Sequence, residues 1–347
     1  MQKGLLRSLF AIGAASLLAF TSCEKNSNLG LDNDSVIKTP YSLYAAKSDG
    51  TIIQSTTGES FNFVFPPDGY GPTQIVTSGN NLLIVKDFLH MSTNNGISFN
   101  PVFTKLRKFK WQSMIYNHVP FGKLFVTSTE GRGVFFSKDN GATWEEDLFV
   151  AGLPNLYQVS SFAGLDNGNL YAYSNVSNMT FVKTGADIQW TPVTTLSFTP
   201  VAGAEFFLVS AGNTLFMVDY NGIGGVWYSN DGAVHWEKLD RNNLLPGNVT
   251  WTCAATAFGG KSIVVGTKDH GIYRSDENGV FQQASYGLLN NTKVYSMTKK
   301  VNVYKSNTVK TYIYIATSTG VYRSEDTGKT WDLVGGDFWK GDYISIY

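Results

Sequence analysis

Short apolar runs alternate with polar, glycine-containing turns along most of this chain, and an aromatic residue follows each of seven turns. The period between successive aromatics is 38, 45, 46, 46, 45 and 50 residues for the series Phe61, Phe99, Trp144, Trp190, Trp236, Phe281 and Trp331. Apolar and polar alternation with many aromatics is typical of β-strands. A repeat near 45 residues predicts supersecondary units of propeller-blade size.

Each unit has room for four strands. In the sixth unit the predicted strands are Val249–Ala254, Lys261–Gly266, Gly271–Ser275 and a last one that begins at Phe281. We label such strands A to D outward from the ring axis. Seven units of this kind predict an all-β fold, a seven-bladed β-propeller of four-stranded blades.

The two ends of the repeat region are complementary. The first unit, starting near Tyr41, accommodates only three strands, over 41–47, 51–55 and 60–65. The segment Asp342–Tyr347 is one strand without a partner in its own unit. We expect it to supply the missing inner strand of blade one, since such closure removes exposed edges. A six-bladed ring with residues 41–65 packed outside it is the alternative.

The C–D turns carry a recurring motif, S-x-D-x-G-x-T-W. Two copies are complete and a third has its glycine one position early; their motif residues are Ser137, Asp139, Gly141, Trp144, Ser324, Asp326, Gly328, Trp331, Ser229, Asp231 and Trp236. Ser and Asp oxygens can accept turn amides, Gly allows a positive φ, and the aromatic buries area between blades. These residue types therefore indicate a structural turn. The motif resembles the Asp-box, or BNR, repeat of sialidase-like propellers, sortilin-type receptors and xyloglucan-degrading enzymes.

The N-terminus has the pattern of a targeting segment. Lys3 and Arg7 precede a 12-residue apolar run, Leu9–Phe20, and Cys23 follows. This resembles a bacterial lipoprotein signal, although an ordinary signal peptide cleaved near Ser22 is an alternative. The resemblance implies a signal peptide over 1–22, a lipidated Cys23 with a flexible tether over 23–40, and a propeller over 41–347. It implies an outer-membrane or cell-surface location, the periplasmic side included, with membrane contact through the anchor alone.

Charge and histidine content narrow the function classes. The formal net charge is zero and no basic run is present, so we expect no nucleic-acid partner. The four histidines show no metal-ligand pairing, and no phosphate-binding glycine loop precedes a helix, so we expect no metal and no cofactor. Cys253 lies in a strand-like run, which favours a buried, inert thiol. We expect a monomer.

Candidate ligand-binding residues come from the B–C and D–A loops, on the face opposite the Asp boxes, where exposed aromatics beside polar groups suit sugar or peptide recognition. They are Tyr70, Asp87, His90, Arg107, Arg132, Asp219, Tyr220, Arg241, Asp269, His270 and Trp339. We expect this face to bind a glycan or an envelope protein, without catalysis. An assembly factor with a protein partner is a variant of this hypothesis.

The alternative is a glycoside hydrolase, a divergent exo-sialidase-like enzyme. Sialidases carry an arginine in a [FY]-R-I-P motif before blade one, whereas this chain has Ile37–Pro40 without arginine. Arg274 and Arg323 fall on C strands beside the boxes, outside the channel. The remaining arginines of the mature chain lie in loops, and paired carboxylates at hydrolytic spacing cannot be recognised from sequence. We therefore assign no catalytic residue.

Overall fold

The computed structural model describes residues 36–38, 42–104, 115–118, 121–127, 134–149, 159–185, 189–239, 245, 249–256 and 262–347. All of them belong to one compact unit, Val36–Tyr347. Within these ranges no helix combines the length and the apolar content needed to cross a bilayer.

Twenty-nine strands and one short 3-10 helix, Asp337–Trp339, make up the described regular structure. The strands are β1 (Val36–Lys38), β2 (Leu43–Lys47), β3 (Ile52–Ser55), β4 (Asn62–Phe65), β5 (Gln74–Ser78), β6 (Asn81–Val85), β7 (Leu89–Ser92), β8 (Asn100–Phe103), β9 (Ile115–His118), β10 (Lys123–Thr127), β11 (Val134–Ser137), β12 (Glu145–Phe149), β13 (Ser161–Gly164), β14 (Leu170–Ser174), β15 (Met179–Lys183), β16 (Gln189–Thr195), β17 (Phe206–Ala211), β18 (Thr214–Asp219), β19 (Val226–Ser229), β20 (Glu237–Lys238), β21 (Trp251–Thr256), β22 (Ile263–Thr267), β23 (Ile272–Ser275), β24 (Phe281–Gln283), β25 (Val294–Tyr304), β26 (Val309–Thr317), β27 (Gly320–Ser324), β28 (Asp332–Leu333) and β29 (Tyr343–Ile346).

These strands form a seven-bladed β-propeller, as predicted. Blade 1 has the order β29-β2-β3-β4, and blades 2 to 7 use consecutive strands from β5–β8 through β25–β28. Each blade is antiparallel, so its A–B and C–D turns share one end, which we call the turn face. Its B–C and D–A loops share the other end, which we call the open face.

Ring closure follows the predicted pattern. In blade 1 the inner strand β29 pairs with β2, with Ala45 opposite Ile346. Next to this pair, Tyr44 and Tyr347 exchange two backbone hydrogen bonds of 2.8 and 2.9 Å. The seven-bladed prediction is confirmed, and the six-bladed alternative is wrong because residues 43–65 form part of the ring.

Strand β1 differs from the prediction, which placed it in the flexible tether. Val36 pairs with Tyr304 and Lys38 with Val303, at the turn-face end of β25. This pairing is available because β25 and β26 form a hairpin of 11 and 9 residues, longer than the inner hairpins of the other described blades. A partner strand more than 260 positions away leaves no local signal in the sequence.

The C–D turns have the hydrogen bonds that their residue types predict. In blade 3, Ser137 Oγ accepts the Gly141 amide at 2.8 Å, and Asp139 Oδ1 accepts the Thr143 amide at 2.8 Å. Gly141 has φ +92°, and a Cβ there would lie 2.4 Å from Leu83 of blade 2. The turn is therefore both closed on itself and packed against the preceding blade.

Candidate functional site

A central channel of about 320 Å³ passes between the inner strands of the ring. Its described walls come from β5, β9, β13, β17, β25 and β29 with adjoining residues, and include Ile75, Phe162, Leu208, Met297 and Ile346. None of the described residues that line it is Asp, Glu, Arg, Lys or His.

Polar side chains in the channel hold neighbouring blades together. Gln74 Oε1 accepts the Ile115 amide at 3.1 Å, joining blades 2 and 3. Tyr116 Oη accepts the Gly164 amide at 2.9 Å, and Ser210 Oγ donates to the Gly164 carbonyl at 2.6 Å. Burial raises the pKa of Tyr116, so the phenol stays protonated at neutral pH. These hydrogen bonds make the described channel wall a set of contacts between neighbouring blades.

The structure brings together two predicted residues of blades 1 and 2 on the open face. Tyr70 Oη donates a 2.6 Å hydrogen bond to Asp87 Oδ2, and this bond raises the pKa of Tyr70. Lys86, which is buried, lies 5.0 Å from the Tyr70 ring centroid and pairs with Asp68. The cluster therefore fastens the D–A loop after β4 to the B–C loop of blade 2.

His90 adjoins this cluster on β7. Burial lowers the pKa of His90, and the positive charge of Lys86 lowers it further. The imidazole is therefore neutral at physiological pH. His90 and Asp87 therefore belong to one electrostatic group, although His90 lies on the C strand β7 and not in the predicted loop.

Asp219 is an exception among the predicted candidates, because it is fully buried. Its carboxylate accepts the amides of Glu205 at 2.8 Å and Gly224 at 2.5 Å. Burial raises the pKa of Asp219, while these amides act in the opposite direction. The group organises the B–C loop of blade 5 and cannot reach a ligand in solution. We correct the assignment of Asp219 accordingly. Its neighbour Tyr220 is half-buried against the core between blades 5 and 6.

Asp269 and His270 lie on the wall of a groove of about 440 Å³ at the open-face end of blade 6. His270 Nδ1 is 2.7 Å from Asp269 Oδ1, and both side chains are about half exposed. The opposite wall is the D–A loop that connects blades 6 and 7, with Leu288 and Asn290 among its residues. Asp269 and His270 on the first wall were among the predicted residues, whereas the residues that line the second wall were not, since no motif marks that loop.

Trp339 belongs to an aromatic cluster where blades 7 and 1 meet. Its ring centroid is 4.8 Å from that of Phe63 and 4.9 Å from that of Phe338. It also packs at 6.0 Å against Phe61, the residue that follows the C–D turn of blade 1. Trp339 is half-buried, whereas Phe63 and Phe338 are 62% and 73% exposed. The tryptophan therefore has a packing role in ring closure.

Three predicted arginines, Arg107, Arg132 and Arg241, lie outside the described residues, so their positions stay predictions. Arg274 and Arg323 lie on the C strands β23 and β27, and neither lines the channel. Cys253 is buried, as predicted. Within the described ranges, no group of three or more His, Cys, Asp or Glu residues is arranged to hold a metal ion.

No family model matches this sequence, and no curated protein matches it. Solved structures do resemble it. The extracellular domain of the one-component system BT4673 from B. thetaiotaomicron has a TM-score of 0.52 and 10% identity, covering 86% of this chain and 46% of that one. An ancestral GH74 enzyme has a TM-score of 0.52 and 16% identity, covering 74% and 37%.

A third structure, virginiamycin B lyase from Staphylococcus aureus with quinupristin, has a TM-score of 0.51 and 12% identity over 81% of this chain and 97% of that one. This chain spans less than half the length of the first two proteins. At such identities the likeness shows the β-propeller fold alone.

Proposed function

We propose that this protein is a non-catalytic, envelope-anchored propeller lipoprotein that binds a glycan or a protein partner through its open face. We also infer that its C–D turns are Asp-box repeats and that residues 1–22 are a lipoprotein signal peptide. The observation that carries the binding proposal is the groove of about 440 Å³ at the open-face end of blade 6, where Asp269 and His270 lie across from the D–A loop. Ligand sites in proteins are concave, with a few convergent polar groups.

The path of the chain supports an outward orientation of this face. Strand β1 pairs with β25 next to the turn at 305–308, and β2 begins at the same end of blade 1. Both lie on the turn face. The described chain therefore begins on the turn face, and on this ground we propose that the open face is directed away from the membrane.

The channel favours binding over hydrolysis. Glycoside hydrolases use a pair of carboxyl groups that flank the scissile bond, and the described channel lining contains none. Sialidase-like activity needs arginines that converge on a carboxylate, and Arg274 and Arg323 lie away from the channel. These placements give no support to the glycosidase alternative, which we retain as an outcome of the experiment.

Two measurements on the full-length protein test the proposal. Metabolic labelling with palmitate should mark the wild type and leave Cys23→Ala unlabelled; equal labelling of both would overturn the anchor. A glycan array, run beside a pull-down from envelope extract with the intact lipoprotein, should give a ligand whose capture falls when an open-face residue such as Lys268 is changed to Glu. Capture that depends instead on a turn-face residue such as Lys329 would contradict the assignment of faces. Release of sugar from any array glycan would establish the hydrolase.

A further inference from the structure

The groove of blade 6 has two walls of different origin, and the contacts within each wall fix its shape. The first wall is the B–C loop of blade 6, which contains Asp269, His270 and Gly271. The His270 amide donates to Thr267 Oγ1 at 2.8 Å, and the Thr267 amide donates to the Gly271 carbonyl at 2.9 Å. These bonds close the loop on itself.

The second wall is the D–A loop from Ser285 to Thr292, and it is built as a series of turns. The Leu288 amide donates to the Ser285 carbonyl at 3.0 Å, and Thr292 Oγ1 donates to the Leu289 carbonyl at 2.6 Å. Ser285 Oγ accepts the amide of Ile272 at 3.0 Å, which ties this loop to the first wall. A groove whose walls are held in this way is formed before a ligand arrives, and this reduces the ordering cost of binding.

The indication of a ligand comes from polar side chains in the groove that form no hydrogen bond within the two walls. In the described part of the chain the side chains of Gln283, Asn290 and Asn291 are exposed and make no hydrogen bond to another residue. Each amide offers donors and an acceptor. Nδ1 of His270 lies against Asp269, and Nε2, the other ring nitrogen, is therefore the one that can form a hydrogen bond with a ligand.

The apolar part of the groove is small. Leu288 is half-buried, and Leu289 is 54% exposed. Asp269 is the one acidic side chain in the described lining, and that lining contains no lysine or arginine, so the groove offers little charge. Many neutral donors and acceptors, a narrow apolar strip and little charge suit a ligand with several hydroxyls and one apolar ring face. They suit neither a phosphate nor a hydrophobic peptide, which require cationic groups or deep apolar pockets.

We infer that this groove is a saccharide-binding site, in which Gln283 and Asn290 share hydrogen bonds with the hydroxyls of a neutral sugar and Asp269 orients His270 toward it. The inference rests on the proposed binding function and narrows the ligand to a carbohydrate. It also places the site beside blade 6 and away from the central channel.

The experiment uses the full-length protein in detergent and a panel of neutral oligosaccharides built from glucose, galactose, mannose and N-acetylglucosamine, with affinity measured by calorimetry. The variants are Gln283→Ala and Asn290→Ala. The matched control is Gln282→Ala, because Gln282 is the preceding residue of β24, is also exposed, and by strand alternation faces the other side. Each groove variant should weaken binding of the best sugar about tenfold, which is the effect of losing a ligand hydrogen bond, while the control keeps wild-type affinity.

Two results would overturn the assignment of the groove as a saccharide site. They have different consequences for the proposed binding function. Sugar binding that is the same in the wild type and both groove variants would place the sugar site elsewhere on the open face and would leave the proposed function standing. No binding of any panel sugar would remove the carbohydrate class, and the pull-down with the intact lipoprotein would then decide between a protein partner and failure of the proposed function.

Discussion

Lys183 Nζ lies 2.5 Å from Asp147 Oδ1, and both side chains are buried in the seam between blades 3 and 4. The other oxygen of Asp147 accepts the indole N–H of Trp190 at 2.9 Å. Strands β12 and β16 pair in parallel beside this group and merge the two blades into one eight-stranded sheet. A buried, hydrogen-bonded ion pair therefore fixes the position of blade 4, which lacks a well-formed copy of the turn motif.

Changing Lys183 to Met should destabilise the protein strongly. The substitution removes the ammonium and leaves the Asp147 carboxylate buried, and breaking a buried pair in this way costs about 3 to 5 kcal/mol. The measurement is the free energy of unfolding in urea. The control is Lys138→Met, since Lys138 is exposed and lies 3.7 Å from Glu145, a kind of pair that contributes less than about 1 kcal/mol. Equal losses for the two variants would contradict the role assigned to Lys183.

Asp139 should contribute to stability in a pH-dependent way. Hydrogen bonds from the Thr143 hydroxyl and amide lower the pKa of Asp139 to about 2. In an unfolded chain an aspartate has a pKa of about 3.9. Because the folded pKa is the lower one, the contribution is complete above the unfolded value and is lost as the pH falls toward about 2.

Asp139→Ala should therefore cost about 1 to 3 kcal/mol at pH 7, and the difference from wild type should shrink between pH 4 and pH 2. Urea unfolding at several pH values gives both quantities, and Asp139→Asn separates the charge from the side-chain shape. Ligand capture at the open face should not change, because the turn lies at the other end of the blade. An Asp139 variant that kept full stability but no longer captured the ligand would show that this turn is a binding site.

The two tryptophans of the complete motif copies should differ in their effect on stability. Trp331 is buried, and its Nε1 donates to the Ala284 carbonyl of blade 6 at 2.8 Å. Trp144 is half-buried, and its Nε1 donates to Gly141 of its own turn at 3.0 Å. Trp331→Ala should cost about 3 to 5 kcal/mol by emptying a space between blades, and Trp144→Ala should cost less.

Thermal and urea unfolding of both variants test this order. Trp331→Phe removes the indole donor to the Ala284 carbonyl and part of the buried ring, so it should cost less stability than Trp331→Ala. If Trp144→Ala lost more stability than Trp331→Ala, burial between blades would not determine the contribution of these tryptophans to the free energy of unfolding.

The ring itself could be predicted because its signals are local and repeated. The backbone position of Gly141 has a positive φ in the other copies of the turn as well. In blade 5 this position is occupied by Ala233, which adopts φ +70°. The strand order follows from this spacing. The inner closure by β29 was predictable too, because one end lacked a strand and the other had one in excess.

The features that the sequence did not reveal depend on contacts between distant residues. Asp147 and Lys183 lie in different blades, and nothing in their neighbourhoods marks them as partners. Asp219 has the polar surroundings of an exposed loop residue, yet the loop folds around its carboxylate. The second wall of the groove consists of serine, threonine, asparagine and leucine side chains, and such residues form no motif that the sequence would reveal.

The proposed orientation, with the turn face toward the membrane, gives a last prediction, which rests on lipidation at Cys23. Lys310 lies at the turn-face end of the long hairpin, and Lys268 lies in the B–C loop of blade 6; both are exposed.

Cys253 is buried, and burial raises its thiol pKa to about 12, so this thiol should not react with maleimides. Single substitutions Lys310→Cys and Lys268→Cys therefore give specific labelling positions in the lipidated protein. After reconstitution into vesicles with an acceptor dye on the headgroups, energy transfer should be stronger from position 310 than from position 268, because the described chain begins at Val36 on the turn face. The protein without an added cysteine measures background labelling; strong labelling of that protein, with no association with vesicles, would show that Cys23 is not lipidated. Transfer that is equal from both positions, or stronger from 268, would mean that the open face is not directed away from the bilayer.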